Sequence, residues 1–241
     1  QPYADRIKDV RPLTSSALER YMLLLNDLPG VSARAVLSPG QTAGASDLTI
    51  IIAQKAYSGF VETDNRGSRY IGPLQVNAGM QINNAFGLYE GITLQGATAP
   101  EGWPKRELTF GSFNWLQPIG FEGTKLSIGG GVTATHPGFT LSLFDVVGIA
   151  RTLTLQVQHP FLRTRNLSFT GSAKFDYLNS YTSNNLPLPA TVDRVRALRV
   201  AGTLQMGDRF GGQNMVMAEA SKGLDLFNAS HAGDANLTHA G

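Results

Sequence analysis

Side chains able to do chemistry are sparse in this chain and poorly spaced for it. His136, His159, His231 and His239 are dispersed, with no pair at metal-ligand spacing, so a metal site is disfavoured. The absence of cysteine removes thiolate catalysis, disulfides and Cys-based metal sites. No G-x-S-x-G segment occurs, and no local motif supports a Ser-His-Asp set. Gly129, Gly130 and Gly131 resemble a phosphate loop but lack the Lys-Ser/Thr pair and the following helix; inside a strand they mark a thin patch of wall or a bulge. Asp64 and Asn65 with Gly67 could be taken for a Ca²⁺ or catalytic loop. With Gly72 they suit a structural turn better, the Asp and Asn side chains bonding local backbone and the glycine supplying a positive φ. The reading is therefore of a chain with no catalytic residue, no cofactor and no metal, and not of an enzyme.

The elements that carry these residues point elsewhere. In LQVNAGMQIN (74–83), Leu74, Val76, Ala78, Met80 and Ile82 share one face, and Gln75, Asn77, Gly79, Gln81 and Asn83 the other. That period of two is a strand with one apolar and one uncharged polar face. The same alternation runs through ARTLTLQVQ and LSFTGSAKFDY, and strand segments recur at 58–64, 87–99, 106–116, 124–136, 150–161, 167–178, 195–207 and 214–224. Strands of about ten residues suit a tilted membrane crossing, whereas about five or six is usual in soluble sheets. Charged residues are only 16% of the 241, against roughly 25% in soluble domains, which fits a wall between lipid and a hydroxyl- and amide-lined lumen. The net charge of +2 is scattered, which gives no basic patch for nucleic acid. Short connections (NNAFG, QPIGFEG) alternate with long ones (APEGWPK, PGFTLSLFDVVG, NSYTSNNLPLPATVD), as in outer-membrane barrels. A mainly β, transmembrane antiparallel barrel is favoured over a soluble β-sandwich, with Val76, Met80 and Ile82 toward lipid and Gln75, Asn77 and Gln81 toward a wet lumen. Trp103, Trp115, Tyr70, Tyr177 and Tyr181 lie near strand ends, where an aromatic girdle would sit. Arg151, Arg163 and Arg165 flank strands at a boundary, which favours solvated headgroup contact over a lumenal contact to cargo.

Residues 1–54 differ in kind. TSSALERYMLLLNDLPG opens on the N-cap candidates Thr14, Ser15 and Ser16, places Leu18, Tyr21, Met22 and Leu25 at helical spacing, and stops at Pro29 and Gly30. VSARAVL (31–37) and DLTIIIAQ (47–54) then read as two strands, making a small α+β unit before a barrel portion at 55–241. About nine or ten strands leave two unpaired edges, which hydrocarbon does not tolerate, so the expectation is a piece of a longer protein.

LERYMLLLNDLPGVSARAVLSPGQTAGASDLTI followed by ETDNRGSRYIGPLQVNAGMQINNAFG resembles the two-partner secretion transporters, the TpsB or haemolysin-activation (ShlB/FhaC/HecB) type of the outer-membrane assembly superfamily. GGQNMVMAEASKGLDLFNAS is similar to a mid-barrel segment of that family. The resemblance implies that residues 1–54 are most of a periplasmic POTRA domain and the rest the first part, nine or ten strands, of a sixteen-stranded barrel in a Gram-negative outer membrane. It implies export of a large secreted partner exoprotein without ATP, with outer-membrane lipid and the outer-membrane assembly machinery as further partners. The family's Asn-Pro-Leu-Gly turn is NNAFG here. A diffusion porin and a barrel enzyme are the alternatives. For partner capture along the edge of strand 31–37, the candidates are Tyr21, Met22 and Leu25 on the helix and Ala33, Arg34 and Ala35 on the strand. Met22 and Leu25 also fit the small unit's own core.

Overall fold

The structure of the protein, a computed structural model, describes residues 14–41, 46–100, 106–187 and 189–238. The helix α1 (Ser15–Asn26) starts where Thr14 Oγ1 accepts the Ala17 N–H at 3.2 Å. It ends ahead of Pro29 and Gly30, whose φ of +67° turns the chain into β1 (Val31–Pro39). β1 pairs antiparallel with β2 (Ser46–Gln54) as a sheet of two strands. Leu24, Leu25 and Leu28 form the buried core under them, flanked by Tyr21, Met22, Val31 and Ala33.

Nine further strands follow: β3 (Tyr57–Asp64), β4 (Gln75–Asn83), β5 (Gly91–Ala99), β6 (Leu108–Ile119), β7 (Thr124–Thr135), β8 (Val147–Arg163), β9 (Leu167–Ser183), β10 (Thr191–Gly207) and β11 (Gln213–Gly223). They form a single antiparallel meander in chain order, with β3 and β11 at its two ends. Each strand segment expected from alternation is present. β5 starts at Gly91 because residues 84–90 close a turn, and β8, β9 and β10 each run to 17 residues, absorbing much of the polar NSYTSNNLPLPATVD segment into paired strand. PGFTLSLFDVVG contains a 3₁₀ segment, Phe139–Phe144. The glycines at 129–131 lie in regular pairing, where a Cβ at Gly130 would come within 3.0 Å of Phe113 and 3.1 Å of Thr152 O. They thin the wall without bulging it; a register shift falls instead between Pro160 and Leu162.

Register sorts the side chains into two faces. Met80, Leu94, Phe113, Gly130 and Leu153 are successive cross-strand partners on one face, and Gln81, Thr93, Asn114 and Gly129 on the other. The apolar face is uncovered: Met80 is 46% exposed, Phe113 46%, Leu155 45% and Phe169 40%. Among the described residues of the nine strands no large aliphatic or aromatic side chain is buried; the buried apolar positions are Gly91, Ala99, Pro160, Ala197 and Ala201. A sandwich buries its apolar face against a second sheet, and here that layer is missing. The whole chain exposes 15218 Å², where a compact monomer of its mass would expose about 10,500 Å². The opposite face carries charge in compensated form: Asp176 accepts from Thr154 Oγ1 at 3.0 Å and sits 3.2 Å from Lys174 Nζ and 2.9 Å from Arg199 Nε, with Glu219 3.2 Å from Arg199 Nη1.

Candidate functional site

The connections divide by end. Residues 84–90, 120–123, 164–166 and 208–212 close one end of the sheet, and 65–74, 136–146 and 184–190 are among those that close the other. α1 and the segment after it dock on the short-turn end. Asp27, one residue past the helix, accepts two parallel bonds from Arg163 at the end of β8, Nε to Oδ2 at 2.8 Å and Nη2 to Oδ1 at 2.7 Å. Lys125 Nζ donates to the Asp27 carbonyl oxygen at 2.7 Å. Arg20 and Tyr21 Oη both reach Glu122 in the β6–β7 turn, at 3.4 and 3.1 Å, and Glu19 Oε1 accepts from the Arg165 N–H at 2.7 Å. The fit is close enough to require a glycine at 123: its φ is +88° and a Cβ would lie 2.6 Å from Leu24 Cδ2. Beneath the junction lies a polar recess of about 420 Å³, lined on the hydrophilic face by Lys125, Gln158, Thr170, Thr203 and Gln205.

Two of the flanking arginines therefore serve the junction, and Arg151 lies far from them. The turn at 84–90 locks the same end. Asn83 Nδ2 donates to Lys55 O at 2.9 Å, the Lys55 N–H to Gly30 O at 2.8 Å, and Gly91 lies against Pro29. Glu90, fully buried, accepts the N–H groups of Phe86 at 2.7 Å and Leu88 at 3.1 Å. Burial acts to raise its pKa, but the N–H groups of Phe86, Glu90 itself, Leu88 and Ala85 outweigh it and hold the carboxyl below the ordinary glutamate value.

Of the six capture candidates, Leu25 is 4% exposed inside the core, Met22 packs against it, and Tyr21 is turned to Glu122. Arg34 and Ala35 are exposed on β1. Ala33 is half-buried, and its backbone is already occupied: Asn26 Oδ1 accepts its N–H and Asn26 Nδ2 donates to its carbonyl, both at 2.9 Å. Because Ala33 bonds away from β2, alternation turns the N–H and C=O of Ala35 and Leu37 the same way. Asn26 closes the helix-proximal part of the edge and leaves the part from Ala35 onward.

The residues at 64–72 do form a turn, at the long-loop end. Asp64 Oδ1 accepts the Arg66 N–H at 2.9 Å, and Asn65 is exposed beside it. The positive φ belongs to Gly72, at +92°; Gly67 is required for close approach instead, since a Cβ there would meet Gly72 O at 2.0 Å. Among the aromatic residues, Trp115 and Tyr181 are exposed on the apolar face, near the short-turn and long-loop ends respectively; Tyr70 packs edge-on to Phe139 at 5.8 Å. Trp103 and His239 fall outside the described residues. His136 lies 2.7 Å from Asp145, His159 2.8 Å from Thr124 and His231 2.9 Å from Asp225, three separate contacts that bring no two histidines together.

An antiparallel meander with one uncovered apolar face, one polar face and an α/β unit bound at its short-turn end defines a wall of the membrane β-barrel class. The family model of the haemolysin secretion/activation proteins ShlB/FhaC/HecB matches residues 44–239, and the chain belongs to that family. The heme/hemopexin transporter protein HuxB of Haemophilus influenzae is 28% identical over 167 residues, covering 67% of this chain and 28% of that relative. CdiB from Escherichia coli superposes with a TM-score of 0.78 at 17% identity, over 96% of this chain and 44% of that one. CdiB from Acinetobacter baumannii gives 0.57 at 15% identity, over 83% and 39%. The chain thus spans less than half the length of each of these relatives.

Proposed function

We propose that this chain forms the first part of an outer-membrane transporter that exports a large secreted partner protein without ATP. Residues 1–54 are a periplasmic POTRA-type unit and residues 55–241 the first strands of the barrel, whose open edges at β3 and β11 are completed by further strands. The observation that carries the reading is the uncovered apolar face of nine long strands, with the α1 unit fastened at the short-turn end. That unit also argues against a diffusion porin, which has no use for it. Outer-membrane lipid would cover the apolar face, and the assembly machinery would insert it. Adhesin, cytolysin and haem-scavenging partners all fit as cargo, the last in keeping with the likeness to HuxB.

Capture proceeds by strand addition. An extended cargo segment pairs with β1 from Ala35 outward, gaining main-chain bonds that read no particular sequence. Selectivity comes from the exposed neighbours Arg34, Val36 and Leu37, and Asn26 sets the inner limit of the groove. Ala35→Pro removes an outward donor without emptying a core site. The full-length protein with this change is expected to reach the outer membrane at normal level and to release much less partner into the medium. Normal secretion by a folded, normally abundant Pro variant would rule out augmentation along this edge.

A further inference from the structure

The apolar face has a charge asymmetry that the transport reading leaves unused. Among the described residues of the nine strands, its Asp, Glu, Lys and Arg positions are Arg151, Arg194, Arg196 and Lys222; all are basic, and all lie in the long-loop halves of β8, β10 and β11. The acids of these strands, Glu62, Asp64, Asp176, Asp193 and Glu219, fall on the other face. Arg151 and Arg194 are both register partners of Asn179, which places them two strands apart, about 10 Å, with the amide between. Among the described residues, no acid engages either guanidinium. The carboxylates of the adjoining loop, Asp225 and Asp234, are turned toward His231 at 2.9 and 3.9 Å.

Beneath this row Arg196 is 2% exposed and, among the described residues, has no carboxylate partner. Its guanidinium lies 3.5 Å from the Tyr177 ring centre and donates to the carbonyl oxygens of Leu178, Val195 and Phe227 and to Asn179 Oδ1, while its buried Nε has no acceptor. Asn179 Nδ2 donates in turn to Tyr177 Oη at 3.0 Å. A fixed, buried positive charge thus backs two free arginines. Height decides what they meet. From Leu162 to Leu153 the outward residues of β8, which lose one interval to the register shift after Pro160, span about 27 Å along the strand, or about 21 Å once tilted by about 40°, close to an apolar band of about 25 Å. Arg151 stands just beyond that band, at the level of headgroups.

We infer that Arg151, Asn179 and Arg194, backed by Arg196, form a site for the phosphate of a phosphorylated glycolipid in the outer leaflet. Planar guanidinium forks suit phosphate oxygens, and Tyr181 on the same face supplies an interfacial ring beside them. The inference rests on the membrane-spanning reading above.

The test uses the full-length protein in phosphatidylcholine nanodiscs, with bisphosphorylated lipid A as probe and phosphate-stripped lipid A as control. Wild type is expected to retain the phosphorylated form with about tenfold or greater preference, and Arg151→Gln with Arg194→Gln to abolish that preference while the barrel remains folded by heat-modifiability. Arg165→Gln, at the opposite end, should leave it unchanged. Equal retention of the two lipids, an unaltered preference in the double variant, or stripping of the probe by inorganic phosphate would each overturn the site while leaving the barrel reading intact. A wild-type protein that does not enter the nanodisc would overturn both.

Discussion

Glu90 shows how one side chain can hold a turn that its sequence conceals. A carboxylate with no exposure is normally costly, but the chain from Ala85 to Glu90 wraps N–H groups around it and lowers its pKa. A lowered folded-state pKa means stability that is fully present above the unfolded value and is lost as pH falls through the folded one. Glu90→Gln should therefore destabilise the folded barrel by about 1–3 kcal/mol at neutral pH. The gap between wild type and variant, followed by thermal unfolding, should stay constant above about pH 5 and shrink below it. A pH-independent gap would contradict this role. Nothing in NNAFGLYEG marks the glutamate, because a single acid in a loop has no period. Gly67 was legible as a turn glycine but not for the right reason: its close approach to Gly72 O, rather than a positive φ, excludes a side chain there, whereas the Asp64 turn is set by its own sequence and could be read.

At the scale of elements, alternation identified the strands because one face of each is predominantly apolar along most of its length. It placed the ends of β8, β9 and β10 less well, since hydroxyl-rich residues such as those of Asn179–Ser183 suit a wet strand and a loop equally. The docking of α1 was beyond its reach altogether. Asp27 and Arg163 stand 136 positions apart, and no local pattern links them. Their pair is three-quarters buried on both sides, with side-chain exposures of 27% and 25%, so removing one partner leaves a desolvated charge. Asp27→Ala is expected to cost the junction about 1–3 kcal/mol, which would speed hydrogen exchange at the amides of Val31 and Lys55 about tenfold or more. Arg163→Lys should recover only part of the protection, lacking the two-bond fork. Unchanged exchange in Asp27→Ala would mean that the contacts of Glu122 and Leu24 hold the unit by themselves.

For the whole molecule, the two faces of the nine-stranded sheet meet different solvents. Composition pointed this way through its scarcity of charge, and the exposure of Phe113, Leu155 and Phe169 gives that scarcity a place. The most direct measurement is cysteine accessibility in the full-length, membrane-inserted protein, which has the advantage that this chain contains no native cysteine. Leu155→Cys and Phe169→Cys should react with a lipid-soluble probe and resist a small water-soluble reagent. Thr154→Cys and Thr170→Cys, one residue away on the hydrophilic face, should show the reverse. Equal labelling of neighbouring positions by the water-soluble reagent would contradict the assignment of the apolar face to lipid.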